Sequence, residues 1–417
     1  MITIAIASLP LLIWVYLLLG RGQFWRSRPC LELMPEALTT SPRQTPWPAI
    51  QVIIPARNEA EMLPHTLPSL LNQDYAGTVS ILLVDDHSTD NTAAIAQAIA
   101  QQANSATPQQ AATSLEVLAA KPLPAGWTGK LWALQQGTEH ALASEPDYVL
   151  LTDADICHSP ESLRQLVTLA QQRQLEMASV MVRLRCESLW EQLLIPAFVF
   201  FFQKLYPFRW SNDPYRRTAA AAGGCVLLRP EALRRIGGMA SIRQALIDDC
   251  ALAAAVKYTD APSPPFYPTW LGLSDRISSL RPYLTLKSIW DMVARTAYTQ
   301  LHYSPLLLVG SVLGMGLVYL VSPVSLIAGL LTGQRLVALL GALGWLLMSI
   351  AYMPIIRFYR CPTWLSAALP AIAFFYTLMT LDSARRHWRG QGGAWKGRTY
   401  ASDDDGANRV SKATAKS

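Results

Sequence analysis

Apolar residues are concentrated in two zones near the ends of the chain. Residues 2–19 carry no charged side chain and are followed by Arg21, Arg26 and Arg28. A second zone, residues 305–382, contains the apolar stretches 306–331, 336–356 and 364–381, separated by short polar breaks. Eighteen or more uncharged apolar residues can cross a hydrocarbon core of about 30 Å as a helix. The pattern predicts a membrane anchor at 1–20 and about three membrane segments within 305–382.

The positive charges set the expected orientation of the first segment. A cleaved signal peptide is the alternative, but it needs basic residues before the apolar run and a small-residue cleavage site after it. The sequence shows neither, so an uncleaved anchor is favoured. Because the arginines follow the run, the amino terminus is expected outside and the next domain in the cytoplasm. We therefore expect a multi-pass protein of the cell inner membrane.

The carboxyl-terminal tail, residues 383–417, conflicts with a count of three further crossings. An odd number of crossings after the cytoplasmic domain would place the tail outside the cell. The first part of the tail is basic, which favours the cytoplasm, with Arg385, Arg386, Arg389, Lys396 and Arg398. Either the first stretch breaks at Ser322-Pro323 into a hairpin or re-entrant pair, or one segment lies in the membrane interface. The charge rule is favoured over the count. Residues 402–417 are small and polar and are expected to be disordered.

Between the two zones, residues 46–298 alternate between short apolar runs and helical patterns. The runs 50–55, 79–84, 115–118 and 148–151 have the composition of buried strands, and 59–71, 92–102, 131–143 and 163–172 have helical spacing. This alternation predicts an α/β domain with a parallel sheet covered on both faces.

Acidic residues follow two of the predicted strands directly. Asp85 and Asp86 end the second, and Asp153 and Asp155 follow the fourth. Ligands of open α/β sheets bind beyond the carboxyl ends of the strands. Residues 88–90 also fit a turn and a helix cap, and a D-x-D pattern alone is a weak signal. At this edge, however, Asp153 and Asp155 could hold Mg²⁺ or Mn²⁺ together with substrate phosphates, provided that the chain turns between them.

Composition and missing motifs narrow the class of protein. Charged residues make up 15%, and Lys+Arg 35 against Asp+Glu 29 gives a net charge of +6. This small excess lies beside the apolar segments, so no nucleic-acid partner is expected. The six cysteines form no C-x-x-C pair, which argues against a zinc site or a disulfide framework. The absence of G-x-x-x-x-G-K-[ST], and of G-x-G-x-x-G after the first strand, argues against a P-loop hydrolase and a dinucleotide dehydrogenase.

Four separated motifs resemble those of family 2 glycosyltransferases, which are inverting enzymes with the GT-A fold. They are IIPARNEA at 53–60, VDDHSTD at 84–90, TDAD at 152–155 and the pair Asp248-Asp249. Further segments are similar to the subgroup of hopene-associated glycosyltransferases. These are GWTGK at 126–130, FFFQKLYPF at 200–208, AAAAGGC at 219–225, IDDC at 247–250, RPY at 281–283 and WKGR at 395–398.

The resemblance implies transfer of a sugar from a nucleotide donor, expected to be uridine-linked, to a membrane lipid at the cytoplasmic face. By motif, Pro55, Glu59 and Asp86 would hold the uracil and ribose. Asp153 and Asp155 would contact the ribose and the Mg²⁺ or Mn²⁺ ion on the diphosphate. The cation would stabilise the departing diphosphate.

The resemblance also implies that Asp249 is the general base that accepts the acceptor hydroxyl's proton. The alternative is that Asp248 or Asp249 caps the helix that follows; Asp249 is favoured as the base, with Asp248 as cap or orienter. Lys130 opens a predicted helix, where it suits a phosphate or is simply solvated. Gly223-Gly224 could admit a ligand close to the backbone or permit a bulge.

Processive members of the family carry Q-x-x-R-W before their later membrane segments. Residues 292–296, MVART, keep only Arg295, so single transfer is favoured and Arg295 could contact the diphosphate. Residues 193–202 and the neighbourhood of Arg281, Tyr283 and Trp290 are expected to form the lipid acceptor's side, possible substrates being a hopanoid or another isoprenoid. The competing interpretation is a noncatalytic membrane scaffold or lipid-transport component that retained the fold.

Overall fold

The computed structural model describes residues 2–35, 46–105, 113–390, 394–395 and 398–399. The disorder expected for 402–417, and the position of Lys396, lie outside these residues. Within them, residues 394–395 pair with 398–399 as a short antiparallel ladder.

Eight strands form one sheet in the order β3-β2-β1-β4-β7-β6-β8-β5. Their bounds are β1 Ile50–Ala56, β2 Val79–Asp85, β3 Thr113–Ala119, β4 Tyr148–Thr152, β5 Ile156–Cys157, β6 Met177–Arg183, β7 Cys225–Leu228 and β8 Thr269–Ser279. The predicted strands correspond to β1–β4, which pair in parallel. The expectation of a purely parallel sheet was wrong. β7 inserts between β4 and β6 antiparallel to both, because the chain leaves β6 at the carboxyl edge of the sheet and, after a long helical excursion, enters β7 at that same edge.

Among the described residues, nine α-helices accompany this sheet. They are α2 Leu63–Leu71, α3 Thr92–Ser105, α4 Gly129–Ala143, α5 Ser162–Gln172, α6 Leu189–Leu205, α7 Phe208–Ser211, α8 Pro230–Ile236, α9 Asp248–Tyr258 and α10 Leu286–Ala294. The helical stretches expected from the sequence fall on α2 to α5.

Both faces of the sheet are covered, as the apolar strands predicted. Side chains alternate along β1, so Val52 and Ile54 pack towards α2 while Ile53 packs towards α4. Helix α4 lies very close to β1: a Cβ on Gly137 would approach Ile53 Cγ2 to 2.4 Å. This close packing fixes the amino-terminal turn of α4, with Lys130, at the carboxyl edge of the central strands.

In the part of the chain that the structure describes, four helical stretches are long and apolar enough to cross a membrane: Ile2–Gly20, Pro305–Leu331, Arg335–Phe358 and Thr363–Trp388. They contain α1 Ile2–Gly20, α11 Pro305–Met315, α12 Val321–Leu331, α13 Arg335–Phe358 and α14 Leu369–Trp388. A π-helical turn, Gly316–Leu320, joins α11 to α12 in one helical stretch, so the hairpin considered at Ser322-Pro323 is not formed.

Helices α12 and α13 approach each other through small residues. A Cβ on Gly341 would lie 2.5 Å from the Leu326 nitrogen, and one on Gly329 would lie 2.4 Å from the Ala338 nitrogen. Small residues that let backbones approach closely are typical of helix pairs in a bilayer. The outer surface of this bundle is apolar, with Leu306 79% and Leu331 82% exposed.

Helix α14 packs against the sheet-bearing domain rather than only against the other apolar helices. Tyr376 Oη donates a hydrogen bond to the Leu194 carbonyl of α6 at 2.8 Å, and Trp290 Nε1 of α10 donates to Asp382 at 2.9 Å. The segment that precedes α14 is anchored in the same way, because Cys361 Sγ lies 3.5 Å from Cys186 Sγ. Both ends of this stretch are therefore next to the domain.

Candidate active site

The D-x-D segment forms a tight turn at the end of β4. The Ile156 N–H donates to the Asp153 carbonyl at 3.2 Å, and Ile156 then starts β5, which pairs with β8. The chain thus turns between the two carboxylates, as the sequence argument required. Their side chains contact different cations.

Asp153 is paired with Lys130. The lysine lies in the first turn of α4, which Thr128 caps through its side-chain oxygen. Lys130 Nζ is 2.8 Å from Asp153 Oδ1 and 3.6 Å from Asp248 Oδ2. Burial alone would lower the pKa of Lys130, but the charges of Asp153 and Asp248 outweigh it and raise that pKa above its usual value. Lys130 is therefore a permanent cation at neutral pH.

Asp155 is paired with Arg281, which follows β8. Arg281 Nε is 3.2 Å from Asp155 Oδ2, and its Nη2 is 2.7 Å from Glu59 Oε1. The Ser279 hydroxyl also donates to Asp155 Oδ2, at 2.7 Å. Glu59 and Asp155 are 7% and 8% exposed, so a single guanidinium charge is shared between two nearly buried carboxylates.

Asp249 is held by backbone groups. Its Oδ2 accepts the Gly223 N–H at 3.0 Å, and its Oδ1 accepts the Cys250 N–H at 2.7 Å. The N-cap position of α9 is Ile247 rather than Asp248 or Asp249, although Asp249 accepts one N–H of the first turn of this helix, that of Cys250. Burial, followed by the charge of Asp248, raises the pKa of Asp249 to about 6. A carboxylate with this pKa is ionised at neutral pH and is more basic than an ordinary aspartate, which suits proton abstraction.

One cavity of about 400 Å³ brings most of the predicted residues together. Its lining includes Pro55 and the charged residues Glu59, Lys130, Asp153, Asp155, Asp249, Arg281 and Arg295. Its apolar lining includes Phe198 and Phe202 of α6, within the stretch expected to face the acceptor, and Met181 and Leu184 near the end of β6. The arrangement joins a charged end, able to hold a charged ligand, to an apolar wall in a single space.

Asp86 is the predicted site residue that does not line this cavity. Its carboxylate is fully buried 3.9 Å from Arg57, and its N–H donates to the Ala56 carbonyl at 2.8 Å. Its expected contact with the base stays a prediction. His158 is also buried, with Nε2 3.0 Å from Thr152 Oγ1, and burial lowers its pKa to about 4. This neutral histidine supports the end of β4.

The carboxylates fit a divalent cation only in part. Among the described residues, no group of three His, Cys, Asp or Glu side chains could hold a metal ion by itself. Asp153 and Asp155 both line the cavity and supply hard oxygen donors. Mg²⁺ and Mn²⁺ accept one or two carboxylates when phosphate oxygens and water complete the coordination. These residues therefore fit a cation that arrives with a diphosphate.

Arg281 is the functional residue that the sequence reasoning misplaced. It was expected on the acceptor's side, near the membrane, but its side chain lies at the charged end of the cavity. Its partner Glu59 is 222 positions away in the chain, and only the pairing of β8 with β5 and β6 brings the two together. The useful signal was its position directly after a strand, the same signal that identified Asp153.

Residues 51–237 match the family model described as glycosyl transferase family 2. The match assigns this stretch, and not the whole chain, to a family 2 glycosyltransferase domain. The chain is also similar in structure to a mannosyltransferase from Pyrobaculum calidifontis solved in complex with GDP-Man and Mn²⁺. The TM-score is 0.50 at 18% identity, over 92% of this chain and 97% of that one. This likeness, together with the family match, shows an α/β GT-A-like fold.

Two curated glycosyltransferases match shorter parts of the chain. An N-acetylglucosaminyltransferase of Mesorhizobium japonicum is 37% identical over 94 residues, which are 22% of this chain and 21% of the relative. A 4,4'-diaponeurosporenoate glycosyltransferase of Staphylococcus aureus is 32% identical over 108 residues, which are 26% of this chain and 24% of the relative. The chain thus spans about a fifth to a quarter of the length of these relatives.

Proposed function

We propose that this protein transfers a sugar from a nucleotide-sugar donor to the hydroxyl group of a membrane lipid, with inversion at the anomeric carbon. The observation that carries the proposal is the shared cavity. Its charged end contains Lys130, Asp153, Asp155 and Arg281, and its apolar wall contains Phe198 and Phe202. A nucleoside diphosphate needs a charged environment, and a lipid needs an apolar one.

The donor would occupy the charged end. Pro55 and Glu59 are assigned to the nucleoside, which we expect to be uridine. Lys130 and Arg295 are assigned to the diphosphate, because both are cations that line the cavity. Asp153 and Asp155 would hold Mg²⁺ or Mn²⁺, which supplies charge stabilisation of the departing nucleoside diphosphate when bound. The mannosyltransferase of similar fold was solved with Mn²⁺ and a nucleotide sugar, which supports this assignment.

Asp249 would accept the proton of the lipid hydroxyl as the hydroxyl oxygen attacks the anomeric carbon. The bond from that carbon to the diphosphate breaks in the same displacement, so the nucleoside diphosphate leaves and the configuration inverts. The two backbone N–H groups on Asp249 fix its orientation. Its pKa of about 6 keeps it ionised and basic at neutral pH.

The acceptor is proposed to be an isoprenoid-type lipid, with hopanoids as one class. The apolar wall from α6 supports a lipid, since Phe198 and Phe202 present apolar surface to the cavity. The name of the Staphylococcus aureus relative, a 4,4'-diaponeurosporenoate glycosyltransferase, is consistent with a lipid-like acceptor. The hopanoid assignment depends on the sequence motifs at 126–130, 200–208 and 281–283.

We also propose a multi-pass placement in the cell inner membrane, with the domain 46–298 in the cytoplasm. Thr3 of α1 contacts Gln334, in the turn between α12 and α13, at 3.2 Å, so these two points lie at the same end of the bundle. At the other end, Arg21 donates to the Lys204 carbonyl, and Arg183 donates to the Tyr359 carbonyl after α13. Three stretches would cross, and the α14 stretch would return to the domain's side.

Product formation tests the proposed function. Membranes that contain the protein would be incubated with labelled UDP- and GDP-sugars and either Mg²⁺ or Mn²⁺, and the lipids then extracted. We expect label in a lipid whose formation stops when EDTA removes the cation. If no donor labels a lipid although the protein is folded, the scaffold interpretation replaces the enzyme.

A further inference from the structure

The two carboxylates assigned to the metal are each occupied by a side-chain cation. Lys130 Nζ lies 2.8 Å from Asp153, and Arg281 Nε lies 3.2 Å from Asp155. Asp155 uses the same oxygen, Oδ2, to accept the Ser279 hydroxyl at 2.7 Å. A divalent cation that binds Asp155 must therefore compete with the guanidinium for this carboxylate.

Arg281 differs from Lys130 because it holds two carboxylates at once. Its Nη2 is 2.7 Å from Glu59, and both Glu59 and Asp155 are nearly buried. Two buried carboxylates without a cation would be costly through desolvation and mutual repulsion. Without a bound ligand, Arg281 is the cation that contacts both of them at the charged end of the cavity.

We propose that Arg281 is an exchangeable counter-ion of the donor site. It pairs with both Glu59 and Asp155 when the cation site is empty, and it releases Asp155 to the divalent cation when the cation arrives with a diphosphate. This inference rests on the proposed function. A metal ion that binds alone would have to displace the Arg281 guanidinium from Asp155, and the guanidinium would then have no anion in place of Asp155. A diphosphate that binds with the metal supplies such an anion for the guanidinium. Metal and nucleotide should therefore strengthen each other's binding.

The proposal is tested by metal binding rather than by turnover. Mn²⁺ binding to the purified full-length protein in detergent would be followed by electron paramagnetic resonance, with and without saturating UDP or GDP. For the wild type we expect one of these nucleotides to tighten Mn²⁺ binding about tenfold or more, within the usual range of coupling between sites. For Arg281→Gln we expect Mn²⁺ alone to bind several-fold more tightly, and the effect of the nucleotide to shrink.

Arg276→Gln is the matched control. Arg276 lies on β8, the strand that precedes Arg281; its side chain is 57% exposed and lies 3.8 Å from the carboxylate of Glu161. This variant should bind Mn²⁺ like the wild type. Arg281→Lys is a second variant, because it keeps the charge but cannot contact both carboxylates with a planar fork. Its affinity for Mn²⁺ alone should lie between those of the wild type and Arg281→Gln. This variant still tests the proposal if Arg281→Gln does not fold.

The binding results distinguish a failure of the proposed donor site from a failure of the proposed Arg281 exchange. If the wild type binds neither Mn²⁺ nor nucleotide, the proposed donor site is wrong and the exchange with it. If the wild type binds both and they strengthen each other, but the Arg281 variants bind Mn²⁺ alone no more tightly than the wild type, only the exchange is wrong.

Discussion

At the scale of single residues, the carboxylates of the cavity differ in what neutralises them. Asp153 has Lys130, and Asp155 has Arg281, whereas Asp249 accepts two backbone N–H groups. Burial and the neighbouring Asp248 raise the pKa of Asp249 to about 6, and the Lys130 charge acts in the opposite direction. Among these three, Asp249 has the environment of a proton acceptor.

This pKa predicts the pH dependence of transfer. A general base must be deprotonated, so kcat/KM should fall as the pH drops below about 6 and level off above it. In Lys130→Met, the loss of a nearby positive charge should raise the pKa of Asp249 and move the acidic limb to higher pH, in addition to weakening donor binding. The profile of kcat/KM against pH for both proteins measures this. An acidic limb at the same pH in both would contradict the assigned interaction.

Much of the site was predictable at this scale because acidic and basic residues directly follow strands or open helices. Asp153 and Lys130 were found in that way, and both line the cavity, whereas Pro55, which also lines it, was carried over from the family motif. The pairing of Glu59 with Arg281 could not be predicted, since it depends on the position of β8 in the folded sheet. Local sequence contains no signal for a contact that tertiary structure alone creates.

At the scale of elements, α6 connects the cavity to the apolar helices. Its start is fixed by a capping box in which Ser188 and Glu191 accept each other's backbone N–H groups. Glu191 also accepts the Tyr283 N–H at 2.7 Å and pairs with Arg185 at 2.9 Å. This fully buried carboxylate thus ties α6 to the segment that carries Arg281.

Glu191→Gln should destabilise the protein at neutral pH by roughly 2–4 kcal/mol, because it leaves Arg185 without its buried partner. Burial opposes ionisation of Glu191, but N–H donors from Ser188, Tyr283 and Glu187 and the Arg185 charge lower its pKa to about 2. A lowered carboxyl pKa stabilises the fold above the unfolded value, near 4.5, and this contribution is lost as the pH falls towards 2. Thermal unfolding in detergent should show a deficit at pH 7 that shrinks on acidification. A deficit that does not depend on pH would contradict this account of Glu191.

The apolar wall gives a prediction about the acceptor. Phe198→Ala removes a ring that lines the cavity, so the acceptor KM should rise about tenfold, equivalent to about 1.4 kcal/mol, while the donor KM stays close to that of the wild type. Leu189→Ala is the control, since this residue lies at the start of the same helix and is 73% exposed. Steady-state kinetics with each substrate varied separately would measure both constants. If Phe198→Ala raised the donor KM instead, the apolar wall of the cavity would contact the donor and not the acceptor.

Helices and parallel strands were predictable because their hydrophobic periods are strong. The runs at 50–55 and 79–84 fall within β1 and β2, and the pattern at 131–143 falls within α4. The antiparallel β7 was not predictable, because a four-residue apolar strand carries no information about its direction. Its direction follows from how the chain re-enters the sheet after α6 and α7.

At the scale of the whole molecule, the packing of α14 favours one answer to the conflict between the charge rule and the number of membrane segments. α14 contacts α6 and α10 of the domain, and Arg386 near its end lies 2.8 Å from Asp291. A stretch whose two ends both adjoin the domain is expected to return to the domain's side of the membrane. The start of the basic tail would then share the cytoplasm with Arg357 and Arg360, in agreement with the charge rule.

Reporter fusions test this topology. A fusion after Gly333 should make alkaline phosphatase active, because this turn is expected outside, and a fluorescent-protein fusion after Gly390 should be bright, because that point is expected in the cytoplasm. A fusion after Arg360 should behave like the one after Gly390. A dark fluorescent-protein fusion and an active phosphatase after Gly390 would mean that the α14 stretch crosses the membrane.

The most direct test of the central claim is lipid glycosylation by matched variants. Membranes with wild-type protein, Asp249→Asn or Asp260→Asn would receive the labelled nucleotide sugar, and the labelled lipid would be quantified beside donor binding. Asp260 is an exposed residue with a φ of 62° beyond the end of α9, a conformation that asparagine tolerates, so it is the control. We expect wild-type and Asp260→Asn membranes to label a lipid equally. Asp249→Asn should bind the donor normally but transfer roughly 10²–10⁴ times more slowly. Full-rate labelling by Asp249→Asn would contradict the account.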